Sequence, residues 1–169
     1  MRKGLDALYD GTAALAAVFM IGLLVMVLVA ILGRQFHFHL PGTDAYAGYL
    51  MAAAGFLALA HTLKRNEHIR VTLLLAQLHG RRRRALELFA LALSVLLAAL
   101  AAFYSVRLGW QSYVFHDIST ASDATPLWIP QVAMGFGSVV LLIALADEFV
   151  LEWRGQRTQP SSDEALHNE

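Results

Sequence analysis

Few side chains in this 169-residue chain have types and spacings that suit chemistry. Seven histidines raise a haem reading, because a membrane anchor holds haem between two imidazoles at matching depth on facing helices. Only His61 falls inside an apolar run, whereas His37, His39, His68, His79, His116 and His167 lie in polar connections or the tail. Glu87, Asp147 and Glu148 stand at the ends of apolar runs, and Glu87 follows Arg83 and Arg84 at helical ion-pair spacing. No GxSxG, HExxH, Walker A or GxGxxG pattern occurs. The "GFG" of Gly135 and Gly137 lies within an apolar run, where close helix approach explains it better than phosphate binding. Cysteine is absent, which excludes disulfides, thiol catalysis and Cys-ligated zinc or iron–sulfur centres. No catalytic, cofactor-binding or metal-ligating residue is assigned, and no enzyme activity is expected.

The elements that carry these residues are membrane helices. Hydrophobic residues make up 57% of the chain and charged ones 15%, against roughly 45–50% and about 25% in soluble domains. Mean hydropathy is +0.53. A helix needs about 20 mostly apolar residues to cross the hydrocarbon core, and four runs suffice: residues 13–32, 46–63, 85–106 and 127–150. The first outruns the 7–15 apolar residues of a signal peptide and lacks a small-x-small cleavage site, so it is expected to remain as an anchor. The expected fold is an all-α integral membrane protein with four transmembrane helices in one domain, residues 1–153. The polar tail, 154–169, has no periodicity and is expected to be disordered.

Charge sets the orientation. If the N-terminus faces the cytoplasm, Arg2, Lys3, Lys64, Arg65, Arg70, Arg81, Arg82, Arg83, Arg84, Arg154 and Arg157 share that side, and only Arg34 and Arg107 oppose them. The positive-inside rule then places both termini in the cytoplasm. Tyr and Trp residues near the run ends, including Trp153, fit interfacial positions. Between the second and third spans, Val71, Leu74, Leu75 and Leu78 recur at i, i+3, i+4, i+7, the pattern of an amphipathic helix over about 67–79 lying in the inner interface. Its basic flanks, Lys64, Arg65, Arg70 and Arg81 to Arg84, suit anionic headgroups at about 1 kcal/mol each, so membrane phospholipids are expected partners and nucleic acid is not.

Small residues at four-residue spacing mark packing faces: Gly48 and Ala52 in the second span, Ala90, Ser94, Ala98 and Ala102 in the third. Such faces should meet other helices, within the chain or in a larger subunit. Outside, Arg34, Asp44, Asp117 and Asp123 are candidates for docking a soluble protein. In "SDATPLWIPQ", Thr125 is expected to cap the fourth helix with Pro126 in its first turn, and Pro130 to bend it slightly.

Three further pieces resemble one family: "RNEHIRVTLLL" directly after the second span, the basic run before the third, and "TPLWIP" opening the fourth. With four spans and cytoplasmic ends, the chain from about Gly11 to Trp153 resembles the small membrane subunit of tripartite ATP-independent periplasmic (TRAP) transporters, the DctQ-like small permeases. It departs where members often carry a Trp and paired acidic residues before the second span; "GTDAY" offers only Asp44. The resemblance implies a multi-pass bacterial inner-membrane subunit. It implies a partner, a large permease that holds the substrate and sodium sites, and a periplasmic substrate-binding protein that delivers organic acids such as C4-dicarboxylates or sialic acid. The small subunit would act as a stator without a cofactor. The alternative from the residues is a haem-bearing anchor of a respiratory complex.

Overall fold

The computed structural model describes residues 2–38, 40–65 and 81–155. The amphipathic arm expected over 67–79, with Arg70, and the tail from residue 156 lie outside the described residues. Among the described residues there are four helices: α1 (Arg2–Gln35), α2 (Thr43–Lys64), α3 (Arg81–Val114) and α4 (Trp128–Trp153). Each is long and apolar enough to cross a membrane. At 1.5 Å per residue the 34-residue helices α1 and α3 reach about 51 Å, well beyond a hydrocarbon core of about 30 Å. Their ends therefore project into the interfaces.

The helices pack as α1 on α2, α2 on α4 and α4 on α3. Burial follows this order: 28% of the most apolar stretch of α2 and 33% of that of α4 are enclosed, against 6% for α1 and 11% for α3. The central helices are not the greasiest ones. Hydrocarbon tails are as apolar as leucine, so sorting inside a bilayer follows side-chain size and fit. Ala53, Ala54, Leu57 and Ala60 line the buried face of α2, and Gly135, Gly137, Ser138, Val140 and Ala144 that of α4. Large side chains such as Ile21, Leu24 and Ile31 on α1, and Phe89, Leu96 and Phe103 on α3, point outward.

The two glycines of "GFG" face different neighbours. A Cβ on Gly137 would lie 2.6 Å from the backbone carbonyl of Phe56 in α2, whereas one on Gly135 would rest 3.6–3.8 Å from Val106 in α3. Gly137 thus fixes the α2–α4 approach, and Gly135 lines the α3 side.

The start of α4 differs from the expectation. Its N-cap is Leu127, without a side-chain cap. Thr125 Oγ1 instead hydrogen-bonds Tyr46 Oη at 3.2 Å, and Pro126 bridges Ile118. The loop finds a better use for the threonine by tying α4's approach to α2. Pro130 falls in the first turn, where backbone N–H groups have no intrahelical acceptor, so it removes no helical bond.

Candidate functional site

At the end of the bundle that holds the N-terminus, α1, α2 and α4 close around Tyr9, Ala60, Leu63, Val140 and Ala144. Lys64 enters this cluster: its Nζ lies 3.2 Å from Asp147 Oδ2 and 5.5 Å from the Tyr9 ring centroid. One ammonium group therefore links three helices through an ion pair and a cation–π contact. His61 Nδ1 faces Asp10 at 3.5 Å. The other described histidines, His37 and His116, lie at the opposite end of the bundle, so no second imidazole among the described residues stands at the depth of His61.

The four arginines that open α3 divide their roles. Arg81 and Arg82 are exposed, whereas Arg83 Nε pairs with Glu87 at 3.1 Å, the helical partner its spacing suggests. Arg84 Nη2 donates to the Trp153 carbonyl at 2.9 Å, satisfying an acceptor at the C-terminus of α4. Trp153 is 65% exposed and lies beside Phe149, with ring centroids 6.0 Å apart. Arg65 and Arg154 are exposed at the same end.

At the other end, the α3–α4 loop is folded and strapped to α2. Asp117 N–H donates to Ser112, Ser119 N–H to Thr125 and Leu127 N–H to Asp117. Tyr49 Oη donates to Asp123 Oδ2 at 3.2 Å. Gly42, at φ 85°, lies so close that a Cβ would meet Asp123 Cβ at 2.8 Å. The hydroxyl of Thr125 first, then Ser119, the Asp123 backbone and Tyr49, hold the Asp123 carboxyl below the usual aspartate range, while burial opposes them. Asp123 is thus turned toward α2, and Asp117 is exposed. Arg34 and Asp44 are brought together elsewhere on this rim, around a pocket between the end of α1 and the start of α2.

The small-residue positions separate into two groups. Ala98 and Ala102 are buried within the subunit, and Ser94 is half-buried with its hydroxyl donating to the Ala90 carbonyl at 2.9 Å. Gly48, Ala52 and Ala90 are exposed. Gly55 joins Gly48 on the open side of α2, and a Cβ on either glycine would meet nothing within 4 Å. Beside Gly55, a groove between α1 and α2 is floored by Ala13, Ala17, Ala54 and Ala58. Sequence reading missed Gly55 and the strap formed by Tyr46 and Tyr49. Their three-residue spacing puts both rings on one side of α2, which was the available signal.

This arrangement leaves charged groups exposed at both ends and small and large apolar residues exposed along the flanks. A family model described as "Tripartite ATP-independent periplasmic transporters, DctQ component" matches residues 23–155, well over half of the chain. The chain belongs to the DctQ family. This DctQ chain is a small permease component of a TRAP transporter and a multi-pass protein of the inner membrane. A comparison of the DctQ chain with curated proteins finds no match.

Proposed function

We propose that this DctQ subunit is a non-catalytic stator that binds the large permease and helps dock the periplasmic substrate-binding protein. The observation that carries this reading is the uneven burial: α1 and α3 enclose 6% and 11% of their most apolar stretches, and α2 leaves Gly48, Ala52 and Gly55 open. Small residues turned outward in a membrane helix gain little from lipid but permit close approach of another helix backbone. The open side of α2 and the adjoining α1 groove are the proposed seat of the large permease, with Ala90 beginning a second contact on α3. Ala98 and Ala102 hold α3 to the bundle instead. The family relation supports sodium-coupled uptake of organic acids such as C4-dicarboxylates or sialic acid, with the substrate and sodium sites in the large subunit.

The basic end of the bundle, with Lys64, Arg65, Arg81 to Arg84 and Arg154, supports a cytoplasmic placement of both termini. The opposite rim then faces the periplasm. There, exposed Asp117 is the proposed point of electrostatic contact with the binding protein, while Asp123 shapes the loop that presents it. Arg34 and Asp44 flank this rim. Arg81 and Arg82 are left for anionic lipid headgroups.

Gly48→Leu combined with Ala52→Leu tests the stator seat. The pair adds bulk to an open face, so the isolated subunit should fold normally while recovery of the large permease falls. Undiminished recovery would remove this face from the interface.

A further inference from the structure

Between the last turns of α1 and the start of α2 lies an open pocket of about 310 Å³. That volume is at the lower end of the roughly 300–1,000 Å³ of small-molecule sites. Val29, Phe38 and Leu40 give it an apolar wall, and charged Arg34 and Asp44 line its polar side together with His37 and Thr43. Both charged groups are exposed, and neither forms an ion pair among the described residues. They line one pocket without closing on each other.

The setting defines the ligand. Phe36, Phe38 and Leu40 are 70%, 46% and 49% exposed in the α1–α2 turn, an apolar cluster placed where the spans leave the hydrocarbon. This is the level of lipid headgroups. A purely anionic group in the pocket would be repelled by Asp44, and a bare alkyl chain would desolvate two charges without compensation. A zwitterion that presents phosphate to Arg34 and ammonium to Asp44, with its glycerol and upper acyl chain against Val29, Phe38 and Leu40, meets all three surfaces.

We propose that this pocket binds the headgroup of a phosphatidylethanolamine-type lipid from the leaflet at the α1–α2 turn. The site is separate from the proposed permease seat and does not depend on which way the bundle faces. Gly33 keeps the pocket's shape, because a Cβ there would lie 2.8 Å from the Phe38 carbonyl and push the turn away.

The test is native mass spectrometry of the full chain, extracted with its accompanying subunits from bilayers of equal phosphatidylethanolamine and phosphatidylglycerol. The unchanged protein should retain phosphatidylethanolamine in preference. Arg34→Gln should lower retention of both lipids about fivefold, the loss of one headgroup contact. Asp44→Asn should lower phosphatidylethanolamine by a similar factor without lowering phosphatidylglycerol, and Arg34→Lys should keep retention, which separates lost charge from misfolding. Equal retention of both lipids by the unchanged protein, or indifference to both substitutions, would overturn the proposal. So would equally tight binding of soluble glycerophosphoethanolamine, which would make the ligand a free headgroup. Weaker capture of the binding protein with unchanged lipid retention would likewise overturn it and assign Arg34 and Asp44 to protein docking.

Discussion

Lys64 shows how far a residue's role depends on what folds around it. In sequence it is one of many cations at the edge of a span; in the bundle it joins α1, α2 and α4 through Tyr9 and Asp147. Lys64→Met should destabilise the subunit by about 1–2 kcal/mol, between the small value of exposed pairs and the several kcal/mol of buried ones. Adding Asp147→Asn should recover part of that loss in a double-substitution cycle followed by thermal unfolding in detergent; independent, additive effects would mean that the pair contributes nothing. Asp123 makes a pH prediction of known sign. Its carboxyl is held below the ordinary aspartate value, so the ionised form favours the folded loop. The strap should be fully formed above about pH 4, near the unfolded aspartate value, and should loosen as pH falls through the lower folded value. Hydrogen exchange in residues 115–127 should therefore accelerate in acid, and Asp123→Asn or Tyr49→Phe should flatten that dependence.

Among the helices, the four apolar runs were legible because a soluble domain has little use for an uncharged apolar stretch of about 18 residues or more, whereas a bilayer requires one. Each of the four lies on a helix, apart from Leu127, which became the cap of α4. Their spatial order was not legible, since hydropathy ranks a helix by its preference for lipid and not by its neighbours. α2 illustrates this: its alanines and its His61 make it the weakest span by hydropathy, yet it lies centrally beside both α1 and α4. The small-residue spacing of Ala90, Ser94, Ala98 and Ala102 suggested one continuous face, whereas the structure divides it: Ala98 and Ala102 are buried within the subunit and Ala90 is exposed. The misplaced cap at Thr125 came from treating the loop as local, when its partner, Tyr46, is distant in sequence. Two glycines offer a paired test of helix approach. Gly137→Ala meets the Phe56 backbone and should cost about 1–3 kcal/mol, exceeding the helix-propensity gain of roughly 0.5–1 kcal/mol. Gly55→Ala meets open space and should leave the isolated subunit as stable as before or slightly more so. Equal unfolding temperatures for the two variants would refute the close α2–α4 contact.

At the scale of the whole molecule, the chain is a bundle with a strapped rim at one end, a basic cluster at the other and exposed small and apolar residues along its flanks. Its orientation can be mapped directly because cysteine is absent from the native sequence, so single cysteines report without background. Arg65→Cys should react only with reagents that reach the cytoplasm, and Asp117→Cys with impermeant reagents added outside; the reverse would invert the topology. Replacing Arg81 to Arg84 together by alanine removes two exposed charges, the Arg83–Glu87 pair and the Arg84 contact to Trp153, and should lower both complex yield and uptake. The central claim, that this subunit works by scaffolding a larger permease, is tested most directly by mild-detergent purification from native membranes followed by mass spectrometry of the associated proteins. A large multi-span permease recovered in near-equal amount is the predicted result. A lone four-helix protein, or one bound to a redox subunit, would contradict the account.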